Sequence, residues 1–121
     1  MEIIRKQIEP GVVVLELVGP LQMGMECTRL GLAIDQLMSE KQRRVVLDFT
    51  KVSKVDSGGV GKLVTCFSQF KIAGGVMHLA GIQGMVGGVL RLTKVDRLMK
   101  IYPTAKEAAA SFVDVQPPSA V

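Results

Sequence analysis

Ser57 is the residue of this chain best placed for a chemical event. It lies in VVLDFTKVSKVDSGGVGKLV, residues 45–64. A β-branched run reads as a buried strand and ends near Phe49. A polar loop follows. Apolar residues then return at Val60, Leu63, Val64, Phe67 and Phe70 with helical spacing. The junction delivers the Ser57 hydroxyl to a helix N-terminus. There it can cap the helix by accepting a backbone N–H, worth about 1 kcal/mol. It can also carry a phosphate, whose charge of about −1.5 to −2 meets free N–H groups and the positive dipole end. Both roles use one geometry, with Ser57 expected as the N-cap.

Gly58, Gly59 and Gly61 follow immediately. Such glycines weaken a helix interior by up to about 1 kcal/mol each relative to Ala. In return they leave the backbone bare beside Ser57. Either another chain or a neighbouring element of this chain can then approach closely. GGVGK has the look of a nucleotide-binding P-loop, but Asp56 occupies the place of the first glycine. Leu63 follows Lys62 where the motif needs Ser or Thr for magnesium.

Asp48 and Asp56 flank the loop at the end of a strand where ligands gather in parallel sheets. They could hold magnesium or orient Ser57, but an exposed-turn or helix-dipole role is the simpler expectation. His78 stands alone within an apolar run, with no Cys or His at ligand spacing, and reads as a hydrogen-bonded structural residue. No nucleophile–base constellation assembles around it. The chain is therefore read as a non-enzyme without metal or cofactor.

These residues need elements to position them. Ile3, Ile4 and Ile8 suggest a first strand, Pro10-Gly11 a turn, and Val12–Val18 a strand buried on both faces. Leu30, Ala33, Ile34, Leu37 and Met38 mark one face of a helix over about 26–41. A strand over 44–49 and the helix after Ser57 follow. Gly74-Gly75 stops that helix, and Val76–Ala80 is the next strand. A helix over 85–92 contains Gly87 and Gly88, and 99–102 is a short strand. Thr104 and Glu107 have capping-box spacing at the start of a last helix, with Ala105, Ala108, Ala109 and Phe112 inward. The order β-β-α-β-α-β-α-β-α predicts an α/β fold: a mostly parallel sheet with an N-terminal hairpin and about four helices. Residues 1–113 read as one domain and 114–121 as a loose tail.

The chain has 121 residues, enough for one core. Its net charge is +4, with both signs scattered and few aromatics, which disfavours a direct nucleic-acid surface. The basic group Lys41, Arg43 and Arg44 is expected at a helix C-terminal turn. Cys27 and Cys66 lack metal spacing and read as packed free thiols, which fits a reducing compartment. The N-terminus has no long apolar run, and no stretch reaches the roughly 20 apolar residues of a membrane span. The expected location is cytoplasmic.

The motif Asp56-Ser57-Gly58-Gly59-Val60-Gly61 after VVLDFTKV resembles the Asp-Ser-small-Gly-Leu-Gly segment of STAS domains of the anti-sigma factor antagonist family. The likeness continues through Ala73–Gly75 and Leu92–Phe112, covering nearly the whole chain. It implies a phosphorylation-switched binding module. Ser57 would be phosphorylated by an anti-sigma factor serine kinase, which the unphosphorylated form binds, releasing a sigma factor. A PP2C-type phosphatase would reset it. The implied partner surface comprises Asp56, Ser57, Gly58, Gly59, Gly61 and Lys62, with Gln22 and Met23 from GPLQMG. Gln22 and Met23 stand where the family often has an acidic residue, Gly58 where Ser or Thr is common, and Lys94 where Gly is common. Two other readings stay open. One is a non-phosphorylated STAS subunit of a transporter or stress-signalling assembly, the setting in which a membrane would enter. The other is a small nucleotide-binding STAS protein.

Overall fold

The computed structural model of the chain describes residues 1–113, so the expected tail at 114–121 lies outside the described residues. Strand β1 (Glu2–Glu9) turns through Pro10-Gly11 into β2 (Val12–Val18), antiparallel to it. Helix α1 (Met25–Ser39) leads to β3 (Arg44–Lys51), and α2 (Ser57–Ile72) to β4 (Val76–Ala80). Helix α3 (Gly84–Leu92) and a 3-10 turn at Val95–Arg97 precede β5 (Ile101–Tyr102), and α4 (Ala105–Val113) closes the described chain. The sheet order is β1-β2-β3-β4-β5, with every pair after the hairpin parallel. The expected α/β architecture is the observed one.

Alternation along β2 and β3 divides the interior into two cores. Val13, Leu15, Leu17, Val45, Leu47 and Phe49 face α1, α2 and α3. Val12, Val14 and Val46 face α4 through Ala108, Ala109 and Phe112. That is why the central strands read as continuous apolar runs. Glu16 is the exception on β2. It lies on the α4 side, nearly buried, between the ammonium groups of Lys6 and Lys51.

Local signals place the helix ends. Thr104 Oγ1 accepts the Glu107 N–H at 3.1 Å, the expected cap. Gly74 takes φ +90° after α2, and the Gly75 N–H returns to the Phe70 carbonyl at 2.8 Å. Lys94 adopts φ 64°, the left-handed conformation that glycine enters without strain, in the turn after α3. The basic group divides: Lys41, at φ 61°, lies in the turn that ends α1, its N–H donating to the Met38 carbonyl at 3.0 Å, while Arg43 and Arg44 carry the chain into β3.

His78 is structural, as expected. Its ring stacks on Phe112 at 4.3 Å between centroids. Ser111 Oγ donates to the Ala108 carbonyl, so its oxygen accepts from His78 Nδ1–H at 3.2 Å. Burial, then the nearby Lys100 charge, pushes the His78 pKa down to about 4. The unfolded chain therefore binds a proton at higher pH than the native one, so stability falls as pH drops from about 6.5 towards about 4. Thermal melts across that window should show a declining midpoint. His78→Gln should remove most of the decline; an unchanged slope would assign it to the carboxylates.

Candidate functional site

The site is built from two loops at the C-terminal end of the parallel strands. The segment after β2 and the segment after β3 run side by side. Gly19 N–H donates to the Lys51 carbonyl at 2.9 Å, Leu21 N–H to the Lys54 carbonyl at 2.9 Å, and Asp56 N–H to the Leu21 carbonyl at 3.3 Å. Leu21, Val52 and Val55 are buried beneath them and anchor both loops to the core.

Asp56, not Ser57, caps α2. Its backbone is extended, and its Oδ1 accepts the Gly59 N–H at 2.7 Å. Both carboxylate oxygens also face the Met23 N–H, at 3.2 and 3.1 Å. The Gly59 N–H first, then the Met23 N–H, holds the Asp56 pKa below the usual carboxylate range. This corrects the N-cap expectation: the helix starts one residue earlier because a carboxylate stands before Ser57. The hydroxyl is thereby released from capping. Ser57 is the first residue of α2 and is exposed, with no protein hydrogen bond to its side chain among the described residues.

The glycines divide into two kinds. A Cβ on Gly59 would meet the Leu21 carbonyl oxygen at 2.2 Å, and one on Gly58 would meet Met23 Cβ at 2.6 Å. Their bare backbone is occupied by the chain's own Leu21–Met23 segment. Gly61 is exposed, with nothing within 4 Å of the same position. The Cys27 thiol adds another tie, reaching the Gln22 carbonyl at 3.1 Å and the Gly58 carbonyl at 3.6 Å. Burial, then the Asp56 charge, raises its pKa, so it stays a neutral thiol. Met23 is 73% exposed beside Ser57's helix turn, and Gln22 is partly covered. Lys62 lies across the α1–α2 seam, where Gly31 makes room for its Cε and Nζ.

Asp48 does not join this group. It shares the α4 side of the sheet with Val46, and its Oδ1 is taken by the Thr50 N–H at 3.0 Å and hydroxyl at 2.6 Å. No group of three His, Cys, Asp or Glu side chains is poised for a metal among the described residues. The strand order never reverses, so the switch-point crevice of doubly wound sheets does not form at this end. What forms is an exposed hydroxyl on a cross-braced ridge. The bracing of Leu21–Met23 against α2 had no signal beyond the glycines, because the contact spans more than thirty residues.

Residues 4–108 match the sequence profile of the STAS domain. The chain belongs to the STAS domain family. A relative in Thermotoga maritima, provisionally named an anti-sigma factor antagonist, is 31% identical over 74 residues. That alignment spans 61% of this chain and 66% of the relative, just under two thirds of its length. A Thermotoga maritima crystal structure of the same provisional description superposes with a TM-score of 0.81 at 26% identity, covering 90% of this chain and 92% of that one. The unphosphorylated anti-sigma factor antagonist SpoIIAA superposes at 0.70 with 17% identity, over 95% of this chain and 100% of that one, a likeness of fold. In this STAS domain no helix among the described residues is long and apolar enough to cross a membrane.

Proposed function

We propose that this STAS domain is an anti-sigma factor antagonist switched by phosphorylation at Ser57, acting by binding and not by catalysis. The exposed, uncapped Ser57 hydroxyl at the positive end of α2 carries the reading. Residues 1–113 work as one cytoplasmic unit. The unphosphorylated ridge, with Met23 and Gln22 beside Ser57 and Gly61 one turn on, docks on an anti-sigma factor serine kinase. Sigma factor is released as a result. Gly61 offers the open backbone, while Gly58 and Gly59 hold the ridge together.

The kinase transfers the γ-phosphoryl of its nucleotide to Ser57 Oγ, and a PP2C-type phosphatase hydrolyses the ester. The phosphate arrives next to the Asp56 carboxylate. Two neighbouring anions then face the positive end of α2 together. Phosphorylation thus adds charge to the docking ridge, and its effect falls on the partner interface.

The test is incubation with the cognate anti-sigma factor kinase and ATP, followed by mass-spectrometric mapping. One phosphate at Ser57 is expected, with none on Ser57→Ala. Phosphate elsewhere, or no phosphate and no kinase binding, would sink the reading and favour an unphosphorylated STAS subunit of a larger assembly.

A further inference from the structure

A second feature lies away from Ser57. On this face of the sheet the helices stop at α1, and β1 is the edge strand. Between them runs a groove of about 350 Å³, within the usual range of roughly 300–1,000 Å³ for ligand sites. Its floor is Leu15 and Leu37, both buried. Ile3 forms the β1 wall, and Leu32, still 63% exposed, forms the α1 wall. Arg29, Leu32 and Gln36 share one face of α1 by their spacing of three and four.

The two ends differ in charge. At one end Glu40 holds the Arg5 guanidinium in a two-pronged pair, at 3.0 and 2.6 Å, and accepts from Gln36 Nε2 at 2.8 Å. That end carries no net charge. At the other end Arg29 has no carboxylate within ion-pair distance among the described residues. A free guanidinium, an apolar trough and a neutral end follow one another along the helix.

From this arrangement we infer that the β1–α1 groove binds a small amphipathic anion, its acidic head on Arg29 and its aliphatic body over Leu15, Leu32 and Leu37. Ligand binding would cover Leu32 and engage the Arg29 guanidinium, which has no ion-pair partner among the described residues. The site is independent of Ser57, so it would be present in the phosphorylated and unphosphorylated forms alike.

Octanoate is the probe, titrated into the ¹⁵N-labelled chain and followed by heteronuclear NMR. Saturable shifts are expected at the amides of Ile3–Arg5 and Leu32–Leu37. Octyltrimethylammonium, with the same tail and the opposite head, should bind about tenfold more weakly or not at all. Arg29→Glu should weaken octanoate about tenfold, and Leu32→Asp should abolish saturation. Both residues are exposed, and dispersed spectra of the variants would confirm their folds. Three outcomes overturn the inference: no saturable shift, shifts centred elsewhere, or equal binding of the two probes together with an unaffected Arg29→Glu variant.

Discussion

Under the proposed switch, Ser57→Asp is expected to weaken binding to an anti-sigma factor kinase about a hundredfold, while Ser57→Ala stays within a few-fold of wild type. The fold tolerates the substitution, because an anion in the first turn of α2 meets the positive end of the helix dipole. The effect therefore falls on the interface. A carboxylate at 57 beside Asp56 puts two negative charges on the exposed tip of the ridge. When a partner closes over them, water is removed from both, and any acidic group or nucleotide phosphate opposite is repelled. A loss of about 2.7 kcal/mol is a hundredfold in Kd. Calorimetric titration of the kinase with the three proteins measures it. Equal affinities for wild type and Ser57→Asp, with thermal midpoints unchanged, would show that charge at position 57 is not the switch.

Two glycines only two positions apart should respond to alanine with opposite signs. Gly61→Ala places a methyl in open space on a helix surface and should stabilise by up to about 1 kcal/mol, the ordinary helix-propensity difference. Gly59→Ala gains the same propensity but drives its Cβ to 2.2 Å from the Leu21 carbonyl oxygen. That oxygen is backbone and accepts the Asp56 N–H at 3.3 Å, so it cannot move without disturbing the paired loops. Overpacking of this kind costs about 1–3 kcal/mol or more. Near 100 residues each kcal/mol shifts the melting midpoint by roughly 4–8 °C, so a fall of about 10 °C is expected. Amide exchange should rise at Leu21–Met23 in Gly59→Ala and stay unchanged in Gly61→Ala. A Gly59→Ala protein as stable as wild type would mean that the loop after β2 is not braced by this contact.

These expectations also mark how far the residues could be read before folding. Every strand and α-helix was legible in the residue pattern, since buried strands and amphipathic helices announce themselves within a window of ten residues or so, while the 3-10 turn at Val95–Arg97 was not. The hairpin turn, the Gly74 helix stop and the Thr104 cap were legible because each is chemistry between close neighbours. The cap of α2 was misplaced by one residue. Asp56 and Ser57 are both good capping residues, and sequence has no means to choose between adjacent ones. The choice is made by Met23 N–H, which arrives from a loop thirty-three positions away and favours the carboxylate. Asp48 was expected in a turn or helix-dipole role rather than in the site, and it stays out of the site. It lies within β3 and not beyond its end, and its parity turns it to the α4 side and into the grasp of Thr50.

The amino-acid sequence alone determined the α/β order, the strand–loop–helix junction and the identity of Ser57 as the hydroxyl at that junction. Those depend on interactions within a few residues, and the chain writes them locally. The tertiary structure alone decided that Ser57 is uncapped and exposed. It also decided that Gly58 and Gly59 serve the chain's own Leu21–Met23 segment, and that a groove with Arg29 at one end lies between β1 and α1. Those depend on which distant backbone comes to rest against which. A single glycine, carboxylate or arginine looks the same in sequence whether its neighbour is solvent, a partner or another loop of the same chain.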